Sequence, residues 1–134
     1  MKLLKFLLIS LLAVTLYSCE YQIIEPEEVV IEIPEEGLSF ETDILPIITS
    51  TSCTACHKSS NALDLTTADV YNEISTGVTS GKYGPADLPY LNLTSPDQSP
   101  LYTLPLGNDG HVKLYSATDA ATLLAWIEDG AKNN

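Results

Sequence analysis

The stretch Cys53-Thr54-Ala55-Cys56-His57 limits what this chain can become more than any other. Two thiols three positions apart lie one helical turn from each other, and an imidazole follows at once. That arrangement suits thioether bonds to the two vinyl groups of a single haem, with His57 taking the iron from one side. Three other uses of the same residues compete. A zinc site needs four ligands; after Cys53, Cys56 and His57 the only other His is His111, and no Cys follows Cys56. A thioredoxin-like redox pair needs a βαβ context, and no strand alternates with helix around the motif. A structural disulfide is the third. The expectation is one covalent c-type haem on Cys53 and Cys56, with His57 as its proximal ligand.

The N-terminus supplies an address. Lys2 and Lys5 form a basic start, and Leu3 to Leu16 is apolar apart from Lys5, Ser10 and Thr15. A core of that length is too short for a permanent bilayer span, so a signal peptide over residues 1–18 is expected. Leu16-Tyr17-Ser18-Cys19 resembles the lipobox of bacterial lipoproteins, in which a small residue precedes a Cys that is lipidated and becomes the mature N-terminus. The resemblance implies lipidation of Cys19 and a chain anchored to a membrane without spanning it. Glu20, where an Asp is absent, implies the outer membrane. With one Cys for lipid and two for haem, none of the three is left for a disulfide.

Removal of residues 1–18 leaves four lysines against 18 acidic residues, a formal balance of −14, and the chain has no Arg. Nucleic acid is excluded as a partner by sign. A basic redox protein of the cell envelope fits, as does simple solubility. Seven Glu, two Pro and no basic residue occupy 20–37, so 19–37 reads as an extended acidic tether; Val29 to Ile33 alternates enough for a short edge strand if a partner is offered.

The domain spans 38–134 and reads as all-α, with about four short helices. Phe40, Ile44, Leu45, Ile47 and Ile48 recur at helical spacing, giving a first helix over 41–50 that tolerates Pro46 near its start. Thr66 or Thr67 caps a second over 68–75, with Val70, Tyr71 and Ile74 inward and Gly77 as its stop. Residues 76–94 read as a long loop wrapped round the haem edge. Ser95-Pro96 and Ser99-Pro100 start short turns, and Gly107 to Gly110 turns the chain just before His111. In the last helix Ser116 is the cap, Asp119 stands at N3, Ala120, Leu123, Leu124 and Ile127 form the buried stripe, and Gly130 ends it. Trp126, beside that stripe, is expected to pack on the first helix or the haem rim.

The order Phe40-x-x-x-Ile44-x-Pro46-Ile47, Cys53-x-x-Cys56-His57, Ser99-Pro100-Leu101-Tyr102, Gly110-His111 and Trp126-Ile127-x-x-Gly130-Ala131 resembles the small monohaem cytochrome c domains of bacterial envelope proteins, often called planctomycete-type cytochrome c. The resemblance covers about 38–134. It implies a class I cytochrome c-like fold, with first and last helices crossing beside one haem, and electron transfer without substrate chemistry. That family commonly carries Met-Pro after the Gly-His turn; here Val112-Lys113-Leu114 follows, and the only Met is Met1. A His/Met haem within one mature chain is therefore impossible.

His111, the only other imidazole, is the favoured distal ligand; Lys113, a tyrosine or an open position remain. Bis-His ligation lowers the potential relative to a Met-ligated relative. A closed iron relays electrons between envelope redox proteins. An open one fits a haem-based small-ligand sensor or a peroxidase-like enzyme, although no Arg is present to help split an O–O bond. A non-redox module stapled by its haem is a further alternative.

Overall fold

A computed structural model describes residues 29–134. The expected signal peptide, Cys19 and the tether as far as Glu28 lie outside the described residues. From Val29 to Ile33 the backbone forms no strand, and a turn closed by the Gly37 N–H on the Pro34 carbonyl (2.9 Å) leads into the first helical segment.

The expected first helix over 41–50 is broken in two, and a further short helix follows it. Phe40–Ile44 is a π-helical turn, Leu45–Ile48 is α1 and Thr51–Thr54 is α2. Pro46 explains the first break: it has no N–H for the α-type bond, and its ring crowds the carbonyl four residues back. The backbone widens instead, and the Leu45 N–H bonds the Phe40 carbonyl five residues earlier. Ser39 caps the start by accepting from the Thr42 N–H.

The second helix, α3, spans Val70–Thr76. Its cap is Asp69, not Thr66 or Thr67: the Asp69 carboxylate accepts from the Asn72 N–H at 3.0 Å, a stronger acceptor than the hydroxyls upstream. Gly77 ends it with an ordinary φ of −79°, so its lack of a side chain serves close packing; a Cβ would meet the Glu73 carbonyl oxygen at 2.4 Å and the Tyr90 ring at 2.9 Å.

The all-α expectation is corrected within residues 76–94. Val78–Ser80 (β1) and Ala86–Pro89 (β2) pair antiparallel, so the molecule is helix-rich with one small two-stranded sheet. Thr79 staples the pair: its hydroxyl donates to the Pro85 carbonyl (2.7 Å) and accepts from the Leu88 N–H (3.1 Å). A register irregularity between Val78 and Ser80 accompanies Asp87, whose φ is +62°.

Three short turns follow, with Pro100–Thr103 (α4) between 3-10 turns at Pro96–Gln98 and Leu104–Leu106. Ala117–Glu128 (α5) is the longest helix among the described residues. Ser116 and Asp119 form the expected capping box. At the other end Gly130 is left-handed (φ 95°), its N–H reaches the Ile127 carbonyl, and the Ala131 N–H reaches the Trp126 carbonyl. This is a Schellman ending.

The buried face of α5 is Ala120, Leu123, Trp126 and Ile127; Trp126 replaces Leu124, which is only half-buried. The indole packs on the first segment, as expected, at 5.6 Å between the Phe40 and Trp126 ring centroids, and Tyr71 of α3 meets Phe40 edge-on at 5.2 Å. Trp126 Nε1 donates to the Lys132 carbonyl and the Tyr71 hydroxyl to that of Ala131. First helix, α3 and last helix are thus joined at one aromatic cluster. Among the described residues no helix is long and apolar enough to cross a membrane.

Candidate functional site

α1 and α2 carry the chain into the Cys-x-x-Cys-His turn, where the Cys53 carbonyl accepts from the N–H groups of both Cys56 (3.2 Å) and His57 (2.9 Å). The two thiols therefore lie one turn apart, both free, with Cys53 buried and Cys56 exposed. Lys58 to Asn61 then reverses the chain. Asn61 Nδ2 donates to the Cys56 carbonyl, and the Leu65 N–H bonds that of His57 at 3.1 Å. The reversal buries Leu63 and Leu65, and it brings the Leu63 carbonyl to 3.3 Å from His57 Nδ1.

His111 arrives from the opposite side. Gly107 (φ 96°) and Gly110 (φ 80°) take left-handed conformations around the turn Asn108–Gly110, and the His111 N–H closes it on the Asn108 carbonyl at 2.9 Å. The two rings come to 6.1 Å between centroids with planes 19° apart.

In both rings Nδ1 faces a backbone carbonyl, that of Leu63 for His57 and that of Val112 (2.8 Å) for His111. An Nδ1–H tautomer is favoured in each, which leaves Nε2 with its lone pair free. Two neutral imidazoles of that tautomer are chemically a donor pair for one metal ion. Among the described residues no three of His, Cys, Asp and Glu are grouped to share a metal. Any further coordination has to come from the bound group itself, as a porphyrin supplies it.

Burial is the main cause holding His57 below the ordinary imidazole value; the Leu63 carbonyl opposes it, and the charges of His111 and Lys82 add to it. The neutral ring, the form that binds a metal, is favoured.

Both histidines line an apolar cleft of about 80 Å³, with Ile48, Cys53, Leu65, Leu101 and Leu104 in its wall. A neighbouring hollow shares His57, His111 and Cys53 and extends to Cys56. All four domain residues singled out by sequence therefore meet at one place. Lys113 is exposed and lines neither hollow.

Sequence reasoning missed Tyr83, Lys82, Tyr90 and Tyr115. The Tyr83 ring meets His111 edge-on at 5.2 Å, and Lys82 Nζ lies 5.0 Å from the Tyr83 centroid. Tyr115 is buried beside Cys53, its hydroxyl donating to the Leu101 carbonyl at 3.3 Å; burial first, then the Cys53 and Asp119 charges, push it far up. The available signal for Tyr83 was Val78-Thr79, a β-branched pair, leading into Gly81-Lys82-Tyr83-Gly84-Pro85. No protein-family model, curated protein or solved structure matches the chain.

Proposed function

We propose that the chain is a lipid-anchored monohaem c-type cytochrome of a bacterial cell envelope, with a class I cytochrome c-like domain that relays single electrons between redox proteins. One observation carries the reading: His57 and His111 face each other at 6.1 Å, each with Nδ1 on a carbonyl, across a cleft walled by the first Cys of a Cys-x-x-Cys-His turn. Cys53 and Cys56 would hold the haem through thioethers and His57 and His111 its iron. Bound there, haem supplies a one-electron carrier.

The chain's own residues supply the rest. Leu63, Leu65, Leu101 and Tyr115 line the cleft with buried, largely apolar side chains. The Leu63 and Val112 carbonyls orient the two rings. Exposed Cys56 sets one attachment point at the surface, so a partner can approach the edge there. A sensor or peroxidase-like enzyme would keep the distal position open; the nearness of His111 to His57 favours the closed carrier.

The test is an absorption spectrum, oxidised and reduced, of protein matured in a host that attaches haem c. Low-spin bands in both states without a Met-to-iron charge-transfer band are expected, and His111→Ala should turn the iron high-spin. A high-spin wild type would refute bis-His ligation; absence of haem would refute the reading as a whole.

A further inference from the structure

The tip of the β-hairpin, residues 81–84, reaches the site from outside both histidine-bearing segments. Gly81 (φ 78°) and Gly84 (φ 76°) bracket Lys82 and Tyr83. A Cβ on Gly84 would meet Asp109 Oδ2 at 2.8 Å, so the tip seats directly on the turn that delivers His111. Tyr83 lines both hollows of the cleft and sets its ring at 76° to that of His111.

His111 otherwise has little to hold it. It is half-buried, its neighbours Gly110 and Val112 are exposed, and its one hydrogen-bonded ring nitrogen faces the carbonyl of the very next residue. That local bond moves with the ring and cannot fix it against the fold. His57, by contrast, is tied to Leu63, six residues on.

We propose that Tyr83 is a positioning residue for His111, and that the hairpin tip keeps the distal imidazole turned in against the site. The inference rests on the haem reading above. An edge-on aromatic contact is worth about 2- to 12-fold in the population of the state that makes it. Loss of the ring should raise the fraction of open, five-coordinate iron by that factor.

The experiment compares the haem-loaded wild type with Tyr83→Leu, Tyr83→Phe and Gly84→Ala. The readouts are the high-spin fraction, the spread of low-spin resonance g-values, which follows the imidazole planes, and the rate at which carbon monoxide binds the reduced protein. Tyr83→Leu should raise the high-spin fraction and the carbon monoxide rate about 2- to 12-fold; Tyr83→Phe, which keeps the ring, should match the wild type. Gly84→Ala disturbs the same tip through the backbone, because its φ of 76° strains any residue with a side chain, and stands in if Tyr83→Leu fails to fold. A low-spin wild type with Tyr83→Leu or Gly84→Ala unchanged in all three readouts overturns the inference alone. A wild type that takes up no haem overturns the carrier reading and the inference with it.

Discussion

His57 shows how one residue's surroundings set its chemistry. Burial disfavours the imidazolium, so the folded state binds fewer protons than the unfolded chain where an ordinary imidazole would be charged. The sign follows: the unfolded state's excess of bound protons makes stability rise with pH through that window. Haem-free protein should thus hold its His57 share of stability above about pH 6.5 and lose it as pH falls toward the lowered folded value. Urea unfolding at pH 7.5 and 5.5 checks this, with His57→Gln expected to flatten the slope; an unchanged slope would refute it. Trp126 makes the matching case in packing. It is 1% exposed and touches the first segment, and its indole N–H is satisfied by Lys132. Trp126→Ala should cost about 3–5 kcal/mol in chemical denaturation.

At the scale of elements, local chemistry decided what could be read from the residues. The capping box of α5 was legible because Ser116 and Asp119 act within one turn, and Ser116→Ala should lower stability by about 0.5–2 kcal/mol. Gly77 was legible as a stop for α3, but not for the right reason. Its φ of −79° suits any residue, and replacing such a glycine by Ala ordinarily stabilises. Here the added methyl would enter the Glu73 carbonyl and the Tyr90 ring, so Gly77→Ala should instead cost about 1–3 kcal/mol by overpacking. A gain in melting temperature for that variant would overturn the contact argument. The hairpin was missed because its evidence is not periodic: β1 is three residues long, β2 contains Pro89, and the staple is one Thr hydroxyl. The π-helical turn was missed because the apolar spacing of Phe40 and Ile44 suits either helix, and only the lost N–H of Pro46 distinguishes them. The four residues that line the cleft and its neighbouring hollow were singled out from the motif and from scarcity of His, whereas Tyr83 depends on a contact between segments far apart in sequence.

For the whole molecule, charge and anchorage have to be consistent with each other. Segment 20–37 holds seven Glu and no basic residue, and the chain has no Arg. Attraction to anionic lipid therefore contributes nothing to membrane attachment, since that needs basic clusters. The described residues hold no helix able to cross a bilayer. The attachment proposed above is the lipid on Cys19, which precedes the described residues. One acyl chain binds only marginally, and stable anchoring takes a second chain or a polybasic patch. No polybasic patch lies in residues 20–37, so the proposed lipid on Cys19 is expected to carry more than one chain. Wild type should then stay in the membrane fraction through a high-salt wash and leave it in detergent. Cys19→Ser should appear in the soluble fraction with an unaltered haem spectrum, because Cys53, Cys56, His57 and His111 form their site without it. Retention of Cys19→Ser on washed membranes would refute the lipid anchor while leaving the haem site standing.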